Sequence, residues 1–183
     1  MSETPEFKAF DKIARLNREV IVTEKIDGTN GVIYIGDDFT TILAGSRSKW
    51  VTPSDDNFGF AKWVEANRED LLKLGPGYHY GEWWGAGIQR RYGLAEKRFS
   101  LFNVSRWGDA AVRHACCHVV PELARGMDIR AVVEEGLAKL RTGGSVAAPG
   151  FMKPEGVVAF HAASGMLFKV TLEGDAAPKG LAR

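Results

Sequence analysis

One lysine opens the stretch of this sequence where groups able to do chemistry lie close together. Lys25 follows the β-branched residues 19–24 and precedes Asp27, Gly28 and Asn30. A lysine at the end of a buried strand can project into a cleft, and its neutral amine can attack an activated phosphorus or carbonyl group. Side chains alternate along an extended chain, so the Asp27 carboxylate should lie on the same side, where it could bind a metal ion or order the amine. Gly28 would let the backbone approach a nucleotide.

The same segment is also compatible with an ordinary hairpin. A strand, an Asp-Gly turn and a second strand over residues 31–35 would leave Lys25 on the surface without any function. Four fixed residues match by chance in roughly one chain of this size in several hundred. The lysine segment therefore needs support from the rest of the sequence.

Five further motifs follow in order. They are Gly45-Ser46-Arg47, Tyr80-Gly81-Glu82-Trp83-Trp84-Gly85, Leu101-Phe102-Asn103-Val104, Pro154-Glu155-Gly156-Val157-Val158 and Leu167-Phe168-Lys169-Val170. With Lys25-x-Asp27-Gly28 they resemble the ordered motifs of the covalent nucleotidyltransferases, the superfamily of ATP-dependent RNA and DNA ligases and mRNA capping enzymes. The details are most similar to the RNA ligase branch that contains phage nick-sealing and trypanosome editing ligases.

The resemblance implies a role for each matched residue. Lys25 would attack the α-phosphorus of ATP and form a lysyl-AMP phosphoramidate. Glu24 would read the adenine edge through its main chain and neighbours, Phe102 would stack on adenine, and Lys169 would contact the α-phosphate. The implied ATP-binding residues are Glu24, Lys25, Asn30, Arg47, Glu82, Phe102, Glu155 and Lys169, with Arg47 at the ribose or the nucleic-acid end and Glu82 at the ribose hydroxyls or a metal-bound water.

Elementary chemistry is consistent with these roles. Phosphoryl transfer needs in-line positioning and cancellation of negative charge, which a second lysine at position 169 would help to supply. The three carboxylates Asp27, Glu82 and Glu155 suit Mg²⁺ or Mn²⁺, held largely through retained waters. Each residue also has a plain structural alternative: Arg47 as a hairpin arginine, Phe102 in the core and Lys169 on an edge strand.

Two positions depart from the family pattern. Thr171 stands where a second lysine is usual, which could weaken charge neutralisation in a later step. Asn103 stands where aspartate is common, and it keeps a hydrogen bond without the charge. Few residues follow Thr171. We therefore expect a single adenylyltransferase domain over residues 1–183, without an appended C-terminal domain.

The spacing of apolar residues predicts an α+β fold. Strands are expected at 19–24, 31–35, 40–44, 79–84, 98–104, 156–161 and 166–171. Helices are expected over 58–74 and from an N-cap at Asp128 to Gly143-Gly144. The resemblance implies the same class, as one ATP-grasp-like nucleotidyltransferase domain of antiparallel sheets flanked by helices.

Composition limits the choice of partners. The chain has 183 residues and a net charge of only +1, so nucleic acid would have to bind at a local basic patch. Residues 89–107 offer such a patch, in which the tentative nucleic-acid contacts are Arg90, Arg91 and Arg98 and the stacking rings are Tyr92, Phe99 and Trp107. A solvated loop that happens to be basic is an equally good interpretation of this segment.

The rest of the sequence indicates a cytoplasmic setting. The sequence contains no signal peptide or membrane-length apolar stretch. The adjacent Cys116 and Cys117 suit buried thiols in a reducing cytosol, and the histidines have no metal-ligand spacing.

The sequence thus favours an ATP-dependent RNA ligase that transfers AMP from Lys25 to a 5′-phosphate end and seals it with a 3′-hydroxyl. The expected partner is nucleic acid, RNA in preference, bound by a monomer that could borrow substrate binding from an accessory protein. Two alternatives stay open. One is a nucleotidyltransferase with an acceptor other than nucleic acid, and the other is a non-catalytic nucleotide- or RNA-binding module.

Overall fold

Two β-sheets form the framework of the chain in a computed structural model that describes residues 6–174. The first sheet has the strand order β10-β9-β1-β8 and is antiparallel throughout. It consists of β1 (Val20–Lys25), β8 (Glu122–Gly126), β9 (Gly156–His161) and β10 (Met166–Thr171). The second sheet has the order β4-β3-β2-β5-β6-β7 and is antiparallel except for the parallel pair β6–β7. It consists of β2 (Thr29–Ile35), β3 (Ile42–Gly45), β4 (Trp50–Val51), β5 (Gly77–Gly85), β6 (Lys97–Leu101) and β7 (His118–Val119).

Helix α4 (Ile129–Gly143) covers one face of the first sheet. It begins as expected at Asp128, whose carboxylate accepts hydrogen bonds from two backbone N–H groups of the first turn, and it ends at Gly144, whose φ is 75°. Leu137 and Leu140 pack into the same core as Val20 and Val22. Since strand side chains alternate, this packing turns the intervening residues of β1 to the opposite face.

The second sheet is covered on one face by an aromatic core. Helix α1 (Phe60–Ala66) brings Phe60 to 5.5 Å from Trp83 and 5.2 Å from Phe99, measured between ring centroids. Ile33 joins this cluster from β2 and is fully buried. The α+β prediction, with antiparallel sheets flanked by helices, is confirmed. No helix among residues 6–174 is long and apolar enough to cross a membrane.

The helix expected over residues 58–74 is interrupted. It consists of α1, α2 (Arg68–Leu71) and a 3₁₀ turn at Leu72–Leu74. The break lies at Asn67, whose side-chain amide donates to the carbonyl of Trp63 at 2.8 Å. This local bond competes with regular helix geometry, which is a known property of asparagine.

The strand expected over residues 98–104 is also shorter than predicted, because β6 ends at Leu101. Asn103 then begins a short helix α3 (Val104–Trp107), and its side-chain oxygen accepts a hydrogen bond from the backbone N–H of Arg106 at 3.0 Å. Asn103 is therefore a helix N-cap. Its amide satisfies that structural role without a charge.

Candidate active site

The segment Ile26–Gly28 carries the chain from one sheet to the other. β1 pairs with β8 and β9, whereas β2 pairs with β3 and β5, so the hairpin alternative is wrong. The faces of the two sheets that lie away from their helices border a cavity of about 1200 Å³. Lys25 therefore lies where both sheets meet, in the wall of that cavity.

Gly28 is required by the packing of the two sheets. A Cβ atom at this position would lie 2.5 Å from the carbonyl oxygen of Trp83 and 2.7 Å from Cβ of Trp84. The close approach that glycine permits is thus to strand β5. The expectation that Gly28 serves backbone approach to a nucleotide is not needed to explain the residue.

We expect Gly28→Ala to destabilise the fold by about 1–3 kcal/mol, since the segment Ile26–Gly28 and β5 would have to move apart to admit the methyl group. Gly143→Ala is the matched control. It lies in the last turn of α4, and an added Cβ meets no atom within 4 Å. Denaturant unfolding should give the loss for the first variant and no loss for the second; equal effects would contradict the packing argument.

Lys25 is held by a carboxylate from the far end of the sequence. Its Nζ atom lies 2.5 Å from Oε2 of Glu155, and the two side chains are 23% and 8% exposed. The pairing follows from the sheet register, in which Lys25 is opposite Gly156, the residue after Glu155. The predicted nucleophile and one predicted metal ligand are therefore in direct contact.

Glu82, on β5, contacts the segment Ile26–Gly28 that joins the two sheets. It lies opposite Asn30 in the sheet, and its Oε1 atom accepts a hydrogen bond from the Gly28 N–H at 3.0 Å. The Asn30 amide donates to Oε2 at 3.4 Å. Burial raises the pKa of Glu82 to about 7, with smaller contributions from the negative charges of Glu155 and Asp27.

Asp27 is anchored by two residues that follow β5. Its backbone N–H donates to the Tyr92 hydroxyl at 2.7 Å, and its carboxylate accepts from Nε of Arg90 at 3.0 Å. Burial raises the pKa of Tyr92, which keeps this hydroxyl protonated. Sequence reasoning missed Tyr92 as a positioning residue, because a tyrosine in a basic loop gives no sign of which backbone group it will bind.

The carboxylate of Glu24 faces away from the lysine. Its two oxygens accept hydrogen bonds from the Ser145 hydroxyl at 2.6 Å, the Val146 N–H at 2.8 Å and the Ala147 N–H at 2.9 Å. Burial raises its pKa, although all three bonds act in the opposite direction. The side chain thus fastens the loop after α4, and the adenine-reading role remains a prediction about the main chain.

Nine of the predicted site residues line this cavity of about 1200 Å³. These are Glu24, Lys25, Asp27, Asn30, Arg47, Glu82, Phe102, Glu155 and Lys169. Phe102 is 41% exposed, so its core alternative is wrong. Arg47 and Lys169 are also exposed, and Lys169 lies on the free face of the first sheet opposite Val158.

The predicted basic patch has a different character from the cavity. Arg90, Arg91 and Arg98 are not among the residues lining it. Arg90 is paired with Asp27, and Arg98 forms an ion pair with Glu96. The three accompanying rings are at most 5% exposed, so they cannot stack on bases; they are Tyr92, Phe99 and Trp107.

Comparison with protein families decides the affiliation of the chain. The RNA ligase family model matches residues 18–171. The chain belongs to the RNA ligase family. A search of curated proteins gave no match.

Solved structures of a Naegleria gruberi RNA ligase share the fold of this RNA ligase family member. The match to an apo variant has 20% sequence identity and a TM-score of 0.62. It covers 85% of this chain and 50% of the ligase chain. A variant with ATP and Mn has 21% identity, a TM-score of 0.61 and coverages of 85% and 49%. A variant with AMP and Mn has 20% identity, a TM-score of 0.64 and coverages of 85% and 50%. The chain thus spans about half the length of these ligases.

The carboxylates of this RNA ligase family member fit a hard divalent cation that keeps most of its water. Glu82, Glu155 and Asp27 line one cavity and offer oxygen donors only. Among residues 6–174, no group of three His, Cys, Asp or Glu side chains is close enough to hold a metal directly. A cation would also offset the mutual repulsion that contributes to the raised pKa of Glu82.

Proposed function

We propose that this chain is an ATP-dependent nucleotidyltransferase that forms a lysyl-AMP intermediate at Lys25 and uses it to ligate RNA. One observation carries the proposal: the Lys25 amine, ion-paired with Glu155, opens into a cavity that also contains Glu82 and Lys169. An amine, a buried carboxylate beside it and a second cation are the groups that nucleotidyl transfer to lysine requires. The Naegleria ligase structures with ATP and Mn support ATP as the nucleotide.

The adenylation step can be written from these groups. An ammonium proton of Lys25 passes to Glu155, which is already within hydrogen-bond distance. Nζ then forms a bond to the α-phosphorus of ATP, and the bond from that phosphorus to its bridging oxygen breaks. Pyrophosphate leaves with the electron pair, and the nitrogen loses its second proton to solvent. Lys169 offsets negative charge on the α-phosphate during the displacement.

Asp27, Glu82 and Glu155 would hold Mg²⁺ or Mn²⁺ in this cavity. The cation would supply charge neutralisation at the phosphates of the nucleotide. Glu82 also orders the segment between β1 and β2, because it accepts a hydrogen bond from the N–H of Gly28, the residue after Asp27. Phe102, half-exposed at the cavity, would offer its ring to adenine, and Arg47 its guanidinium to ribose or a phosphate end.

Ligation requires two further steps. A 5′-phosphate oxygen attacks the phosphorus of lysyl-AMP, and the lysine nitrogen leaves with the electron pair and regains its proton. A 3′-hydroxyl oxygen then forms a bond to the activated 5′-phosphorus and loses its proton to solvent, and AMP leaves with the electron pair of the broken P–O bond. Within the proposal, RNA ends are the substrate, the chain acts as a single adenylyltransferase domain, and an accessory protein can assist substrate binding.

The test is incubation with α-labelled ATP and Mg²⁺, followed by denaturing electrophoresis, with labelled RNA, DNA and hybrid ends added in parallel. We expect an acid-labile protein adduct and sealing of RNA ends. An adduct with no sealing of any end would favour the acceptor alternative. A rise in melting temperature with ATP and no adduct would favour the non-catalytic binding module.

A further inference from the structure

The free face of the second sheet continues beyond the site as a row of exposed rings. In the sheet register Glu82 lies opposite Asn30, Tyr80 opposite Val32, and Tyr78 opposite Tyr34. Alternate residues of a strand share a face, so the two tyrosines of β5 lie on the same side as Glu82. Trp50 on β4 completes this row. We call Tyr34, Trp50, Tyr78 and Tyr80 the aromatic strip.

Three rings of the aromatic strip lie nearly parallel to a neighbour and are open to solvent, whereas Tyr34 is tilted by 48° to Tyr78. Tyr78 and Tyr80 have ring centroids 6.1 Å apart and planes inclined by only 12°. Trp50 and Tyr78 lie 6.5 Å apart with an inclination of 22°. These three side chains are 48% to 55% exposed. Several large aromatic rings exposed together on one sheet face are typical of a binding surface.

The indole of Trp50 packs against a glycine on the neighbouring strand. A Cβ atom at Gly45, its partner in the register, would lie 3.1 Å from the six-membered ring of Trp50. The six-membered ring of Trp50 therefore lies close to the backbone of β3 at Gly45. It walls a second cavity of about 280 Å³ with Val32, Lys49, Tyr78 and Tyr80.

The two cavities are neighbours, because Tyr78 and Tyr80 line both. Cationic groups line each of them. Lys49 lines the smaller cavity and is ion-paired with the exposed Asp55 at 2.5 Å, so a phosphate would have to share or replace that partner. Arg47 lines the larger cavity and makes no ion pair within the described part of the chain. Exposed rings suited to stacking, with cations beside them and the cavity of Lys25 next to them, match the chemistry of a single nucleic-acid strand.

We propose that the aromatic strip binds a single-stranded nucleic-acid end and directs it towards Lys25. This inference rests on the proposed function and names its substrate class. Bases stack on the rings, whereas phosphates contact Arg47 and Lys49. A duplex keeps its bases stacked within the helix and cannot offer their faces to the strip. The strip also supplies the stacking surface that the buried rings of residues 89–107 cannot.

The test is fluorescence anisotropy with a labelled single-stranded RNA that carries 5′-hydroxyl ends, in buffer without ATP. No sealing is possible with this probe, so binding is measured apart from chemistry. We expect Trp50→Ala and Tyr78→Ala each to weaken binding about tenfold, and Tyr78→Phe to restore it, because stacking needs the ring alone. Phe10→Ala, which removes another exposed ring outside the strip, is the control.

A photocrosslink mapped to the peptides of β4 and β5 would add a readout that a folding defect cannot imitate. The inference is overturned if unmodified protein fails to bind the RNA, if the alanine variants bind as well as Phe10→Ala, or if a blunt duplex binds equally well. Adduct formation with labelled ATP is measured separately on the unmodified chain. Ring-dependent binding without an adduct would refute the proposed function alone.

Discussion

Lys25→Ala is expected to lower adduct formation with labelled ATP by roughly a thousandfold or more, because no other group can replace the attacking nitrogen. The variant should also lose about 1–3 kcal/mol of unfolding free energy. Glu155 is only 8% exposed, and its carboxylate would lose the cation 2.5 Å away. The adduct is measured by denaturing electrophoresis, and the stability by denaturant unfolding.

Two controls separate the chemical effect from the structural one. Lys25→Arg keeps a positive charge for Glu155 but offers a guanidinium, which is always protonated and a poor nucleophile. It should recover most of the lost stability and none of the adduct. Lys62→Ala, at an exposed lysine of α1, should change neither quantity. A persistent adduct in Lys25→Ala, mapped to another lysine, would contradict the assignment of the nucleophile.

The candidate nucleophile was predictable from sequence, but its environment was only partly so. Lys25, Glu82, Glu155 and Lys169 lie in short motifs whose order made them candidates, and all four line one cavity. Their meeting point depends on a register between β1 and β9, and Lys25 and Glu155 are 130 residues apart in the chain. Motif order gave no information about this pairing; it follows from the pairing of whole strands.

The features that local sequence could not decide were those in which one residue type suits two environments. An Asp-Gly turn can close a hairpin or connect two sheets, and only the neighbours of β1 and β2 decide between them. Tyr92 in a basic loop suits a base-stacking surface as well as a buried hydroxyl bonded to Asp27. Conversely, Tyr78 and Tyr80 suit a core strand, yet both lie on the open face. Local composition does not report which face of a sheet is covered.

Glu24→Ala should be among the most destabilising single changes in this chain. We expect a loss of about 3–5 kcal/mol, and a melting temperature lower by about 10 °C, because buried donors would lose their acceptor and a void would form. The Ser145 hydroxyl and the N–H groups of Val146 and Ala147 all bind this one carboxylate. Thermal unfolding monitored by circular dichroism provides the measurement. Glu19→Ala, which removes an exposed ion pair with Arg125, is the matched control and should cost less than about 1 kcal/mol.

The conservative variant Glu24→Gln tests the electrostatic part of this argument. Burial raises the pKa of Glu24 above its ordinary value of 4.5, so the folded chain holds this proton more tightly than the unfolded chain does. The stability that Glu24 contributes is therefore complete below about pH 4.5 and declines as the pH rises through the folded value. An amide does not titrate, yet its oxygen can still accept the two backbone N–H groups. Over a titration from about pH 5 to about pH 8, the unfolding free energy of Glu24→Gln should thus fall less than that of the unmodified chain. Parallel pH profiles for the two proteins would show that the loop after α4 is held by hydrogen bonds in which the charge has no part.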